Sequence, residues 1–170
     1  MKLAEQRWVH AVWCDDVRQE VGNKPSLMGV YFNDFVPPVL PTVVPKLCVY
    51  VQLGTPLTRP FKNLVIRVTR NDAEEPLAII ELPSEQLTHA VAMTPMLTPE
   101  QLDEKEPEPR GLGMNFILQM GPLEFTEKTK WLKVWVDTED DTLESFKLRI
   151  NSAAGFSARL QQAMPLPRPH

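Results

Sequence analysis

Trp131-Leu132-Lys133-Val134-Trp135-Val136 is the stretch that decides how this chain folds. Leu132, Val134 and Val136 fall on one face at period two, and Trp131, Lys133 and Trp135 fall on the other. Strict alternation marks a half-buried strand, because successive side chains of an extended backbone point to opposite sides. Outward from it the pattern recurs. Phe146, Leu148 and Ile150 are expected to face inward, with Lys147 and Arg149 outward. Leu64, Ile66 and Val68 oppose Val65 and Arg67, while Leu47, Val49, Val51 and Leu53 oppose Cys48, Tyr50 and Gln52. Met114, Phe116, Leu118 and Met120 make a further stripe, and residues 77–82 read as a short strand ending at Pro83.

Near the N-terminus, Trp8–Cys14 and residues 27–35 are apolar on both faces. Between them, residues 20–25 hold Gly22, Asn23 and Pro25, a turn composition, so the two runs are expected to form an antiparallel hairpin with both faces covered. Strand signals therefore recur near 8–15, 27–35, 46–53, 63–70, 76–82, 112–120, 130–137 and 144–151. This spacing predicts an all-β fold, an immunoglobulin-like antiparallel β-sandwich of seven to eight strands over residues 7–152. The one helix candidate is 84–92, with Ser84 as its cap. Residues 94–111 are acidic and proline-rich without periodicity and read as a flexible loop, and 153–170 reads as a proline-rich C-terminal tail.

The length of 170 residues fits one domain. Seventeen prolines forbid long helices and punctuate strands. No apolar run reaches the roughly 18 residues that a membrane helix needs, and charges interrupt the first ten residues where a signal peptide would be apolar. A cytoplasmic protein is expected. Residues 1–70 carry nine Lys and Arg against five Asp and Glu, whereas 71–170 carry nine against seventeen. An acidic half argues against a nucleic-acid partner, which requires a basic stripe to neutralise phosphates.

Candidate chemistry is sparse. His10 and Cys14 share a strand face, but four residues at about 3.3 Å each separate them by about 13 Å, too far for a nucleophile–base pair. Cys14 and Cys48 are expected to stay reduced, since two cysteines make no disulfide framework. Asp137, Glu139, Asp140 and Asp141 could gather oxygens for calcium, with Asp15, Asp16 or Asp72 joining, yet they lack the glycine and the distal glutamate of an EF-hand loop. A solvated Asp/Thr turn is the simpler reading. There is no P-loop, no dinucleotide fingerprint and no nucleophile elbow, and the three histidines are scattered. No catalytic residue, metal or cofactor is expected. The remaining signal is aromatic: Trp131, Lys133 and Trp135 on an outer face, rimmed by Asp137, Asp140 and Asp141, predict a protein-binding surface suited to a basic partner. The competing reading has a loop or the tail covering those rings.

Cys14-Asp15-Asp16-Val17-Arg18-Gln19-Glu20, then Gly22-Asn23-Lys24 and Ser26-Leu27-Met28-Gly29-Val30-Tyr31, resembles the opening of an uncharacterised family of bacterial and bacteriophage proteins, a domain of unknown function. Pro45-Lys46-Leu47-Cys48-Val49 and Glu81-Leu82-Pro83 extend the resemblance over roughly residues 8–152. It implies a small β-rich domain of bacterial or phage origin and no activity. Together these readings predict a non-catalytic protein-interaction module, phage-encoded and acting on a host or virion protein, as a monomer or small homo-oligomer. The alternative is a structural component that self-associates. A calcium-dependent binder or hydrolase ranks last.

Overall fold

In a computed structural model the described residues are 6–22, 24–93, 111–153 and 155–157. They form β1 (Trp8–Cys14), β2 (Asp16–Glu20), β3 (Lys24–Met28), β4 (Asp34–Phe35), β5 (Thr42–Val44), β6 (Leu47–Pro56), β7 (Leu64–Arg70) and β8 (Ala78–Leu82). There follow α1 (Ser84–Ala92), β9 (Gly111–Met120), β10 (Leu123–Phe125), β11 (Trp131–Thr138), β12 (Thr142–Glu144) and β13 (Leu148–Ile150). The loop expected at 94–111 lies outside the described residues except for Gly111, which opens β9. The tail beyond 157 also lies outside them.

A six-stranded sheet runs β4-β13-β11-β7-β8, with β12 paired to β11, and a three-stranded sheet runs β1-β6-β9. Two ribbons, β2-β3 and β5-β10, complete the structure. All pairs are antiparallel except β13 with β4, which is parallel. The strands number thirteen among the described residues rather than seven to eight. Prolines such as Pro37, Pro38, Pro41 and Pro45 cut the connecting chain into pieces of two to three residues, too short to show a period.

The alternation holds where it was clearest. Leu132, Val134 and Val136 of β11 pack with Leu64, Ile66 and Val68 of β7, all at zero exposure. The same core includes Leu47, Val49, Val51 and Leu53 of β6, so the two large sheets share one interior. Leu87, the one buried residue of α1, joins it. Each such side chain contributes about 1.5–3 kcal/mol when removed from water.

Three expectations need correction. Phe146 is 82% exposed: it lies in the connection before β13, where only Leu148 and Ile150 keep the inward alternation. The hairpin around Gly22 joins β2 to β3, not the runs 8–14 and 27–35. β1 instead pairs along its length with β6, and only Trp13 bridges to Tyr31. That hairpin lies against β6 and covers the second face of the small sheet, so Cys14, Cys48 and Tyr50 are buried although they point away from the main core. Helix α1 begins after Pro83 without a side-chain cap, because Ser84 already has helical geometry.

Candidate functional site

On β11, Trp131, Lys133 and Trp135 do point away from the core, but they are not bare. Trp131 and Trp135 are half-buried, and Lys133 is only 6% exposed. The Lys133 ammonium lies 4.2 Å from the Trp135 ring centroid and pairs with Glu144 of β12. Trp135 Nε1 donates to Thr69 Oγ1 at 2.9 Å on the neighbouring β7. The Lys147 ammonium lies 4.2 Å from the Trp131 ring centroid. Each indole is thus sheathed by the stem and charge of a lysine from its own sheet face. Neither a loop nor a second layer is needed to explain their partial burial.

The acidic turn is engaged rather than free. Arg67 forks onto Asp137 at 2.6 and 3.0 Å, holding that carboxyl below the usual carboxylate range. Arg59 donates to both Asp140 and Asp141 at 3.0 Å. Arg7, whose side chain is 2% exposed, pairs with Glu139 and also donates to Thr138 Oγ1 at 3.1 Å and to the Pro60 carbonyl at 3.1 Å. Its guanidinium sits 4.8 Å from the Phe61 ring centroid. Burial pushes the Glu139 carboxyl up, but Arg7 and the amides of Lys62 and Asn63 override it and bring it down to about 2. Three arginines from the N-terminal half therefore offset most of the charge of the turn's four carboxylates. A cation would have to displace them, and Asp15 and Asp16 are occupied elsewhere, by Tyr31 and Lys46. The turn ties strand ends together, and the expected acidic rim for a basic partner is largely spent on these internal pairs.

The cysteines offer little chemistry. Cys14 and Cys48 stand opposite one another in the β1–β6 register, both as free thiols and both buried. Burial pushes the Cys14 thiol up to about 11 and raises Cys48 as well. A thiol held protonated is a poor nucleophile. His10 lies along the same strand, exposed and opposite Gln52.

What alternation did not reveal is a recess beside Trp131. It is open, encloses about 670 Å³, and its lining includes Trp131, Leu40 and Ile150 together with Lys130, Lys147 and Arg149. Glu127 is the one carboxylate among its described lining residues. Arg149 forks onto Asp34 at 3.0 and 2.8 Å, but Lys130 and Lys147 form no close salt bridge among the described residues; the Glu144 carboxyl, held down chiefly by Lys133, is lowered further by the Lys147 charge. Lys130 Nζ donates to the Glu127 carbonyl at 2.7 Å. Thr129, Asn151 and Ser152 add hydrogen-bonding groups. The recess is positioned by the start of β11 and by β13, whose Arg149 pairs with Trp131 in register. Asn71 fixes the approach to β11: its side-chain oxygen accepts from the Lys130 amide at 2.8 Å and the Trp131 amide at 3.2 Å. Its basic residues are separated in sequence, so only the pairing of β11 with β13 reveals them as a group. The one available signal was Lys147 and Arg149 flanking Leu148 on an outward face.

The model of one family, described as a family of unknown function (DUF6941), matches residues 9–151. No curated protein and no solved structure matches the chain.

Proposed function

We propose that the chain, which belongs to this family of unknown function, is a non-catalytic protein-interaction module that grips an acidic segment of its partner in the Trp131 recess. The scaffold is read as an immunoglobulin-like sandwich, a reading supported by the shared core of the two large sheets. The observation that carries the function is an indole wall flanked by two lysines, Lys130 and Lys147, neither of which forms a close salt bridge among the described residues. Acidic segments are commonly recognised by clustered cations, and an aromatic wall adds apolar contact at low entropic cost. The polarity is opposite to that expected from the acidic C-terminal half, because Arg7, Arg59 and Arg67 offset most of the acidic turn while Lys130 and Lys147 of the recess form no close salt bridge among the described residues. The non-catalytic reading is supported by the protonated, buried Cys14 and by the arginine-held carboxylates.

The test is calorimetric titration with a short synthetic glutamate-rich peptide at low salt. Saturable binding to the wild type, lost in Lys130→Glu with Lys147→Glu at unchanged thermal stability, is expected. Equal binding by the variant, or no binding to either protein, would remove the acidic-segment reading.

A further inference from the structure

Strand β9 ends the three-stranded sheet, and no described strand pairs with its far side. Its ten residues, Gly111–Met120, include no Lys, Arg, Asp or Glu and no proline. Sheet edges of monomeric proteins normally carry such residues to prevent pairing with another chain. The other long edges differ: β1 is also uncharged but shorter and closed at one end, and β8 carries charge and is stopped by proline. On β1, Tyr31 donates its amide to the Trp13 carbonyl at 2.8 Å and closes one end. On β8, Glu81 is exposed and Pro83 stops the strand before α1.

The core is also unfinished along β9. Val51 and Leu53 of β6 are fully buried, yet their register partners Phe116 and Met114 are half-buried. On the opposite face Ile117 is 42% exposed. We infer that β9 pairs antiparallel with β9 of a second copy of this chain, joining two three-stranded sheets into one continuous sheet of six. A second copy fits because the strand is uncharged: twofold pairing sets no like charges against each other, and a charged partner strand would gain no ion pair there. The same operation brings Phe116 and Met114 of both copies towards the axis, extending each core past its open edge. The chain's own segment 94–110 is the weaker occupant, since its seventeen residues hold four prolines and five carboxylates. The inference is independent of the Trp131 recess, which lies on the other sheet.

Sedimentation velocity of the full chain over a concentration series tests it. A reversible dimer is expected, and Asn115→Lys with Ile117→Lys should weaken it by at least about tenfold through repulsion across the axis. Asn115→Cys and Ile117→Cys proteins, alone and mixed, should give an intermolecular disulfide between β9 residues on mild oxidation, mapped by mass spectrometry. This second arm holds even if the lysine variant folds poorly. A wild type that stays monomeric throughout, a dimer unaffected by a folded lysine variant, or the absence of any β9–β9 cross-link would overturn the proposal. So would a monomer that dimerises only after 94–110 is replaced by a Gly-Ser linker, which would assign the edge to that segment.

Discussion

Glu139→Gln isolates the claim that the acidic turn is a structural clasp. The substitution keeps the side chain's shape and removes its charge, leaving the Arg7 guanidinium, 2% exposed, without its closest counter-ion. Lowering the Glu139 carboxyl from 4.5 to about 2 is worth at most about 3 kcal/mol, at about 1.4 kcal/mol for each tenfold change in proton affinity. The carboxylate is still 19% exposed, and solvent screening reduces the expected loss to about 1–2 kcal/mol at neutral pH. The sign follows from the depressed acidity. The contribution is present in full above the unfolded-state value near 4.5, and is lost as pH falls from there towards about 2. Urea denaturation at pH 7 and at pH 3 measures both effects. Wild type should exceed the variant clearly at pH 7, and the gap should narrow at pH 3. A gap of the same size at both pH values would refute the ion-pair account. No gap at pH 7 would show that the turn contributes nothing through Glu139.

Trp135→Ala should cost about 2–3 kcal/mol in urea denaturation, below the full range for buried tryptophan because the ring is half-exposed; it strands the Thr69 hydroxyl and the Lys133 ammonium. Trp131→Ala should cost less, since its ring borders an open recess, and equal losses would contradict the distinction between the two indoles. Gly29→Ala should lower the melting temperature, because Gly29 has φ of +65° and an added Cβ would lie 1.9 Å from Asp15 Oδ2; an unchanged midpoint would contradict that placement. Alkylation of Cys14 and Cys48 at pH 8 should be more than about tenfold slower in the native than in the urea-unfolded protein, as expected for buried, protonated thiols; equal rates would show the covering hairpin to be open.

Much of the fold was legible wherever one sheet face is buried and the other is wet. Leu64, Ile66 and Val68, like Leu132, Val134 and Val136, repeat strictly because a single residue slip would expose the whole set. The N-terminal runs gave no such signal. Trp8–Cys14 is covered on one side by the core and faces the hairpin at its end on the other, and its partner β6 lies more than thirty residues away in sequence, beyond any local pattern. The turn at Gly22 was readable, but the strands it joins, β2 and β3, are polar and exposed enough to resemble loop. Phe146 misled because a hydrophobic residue extended the period of Leu148 and Ile150 backwards, ahead of where the strand begins. At the site, the outward direction of Trp131 and Trp135 was readable from alternation alone. The lysine sheaths, the arginines that take up the acidic turn and the Lys130–Lys147 recess all depend on side chains from different strands meeting. Such convergence is a property of register and sheet order rather than of any one segment.

The central claim is tested most directly by two-dimensional ¹⁵N NMR of the full chain during titration with the glutamate-rich peptide. The four indole N–H signals report separately on Trp8, Trp13, Trp131 and Trp135, and Trp131→Phe assigns the one at the recess. The account predicts a saturable shift of the Trp131 indole and of the Lys130 and Lys147 amides, with Trp8 and Trp13 unmoved and the response abolished in Lys130→Glu with Lys147→Glu. Shifts confined to other parts of the chain, or an unperturbed Trp131 at saturating peptide, would contradict it.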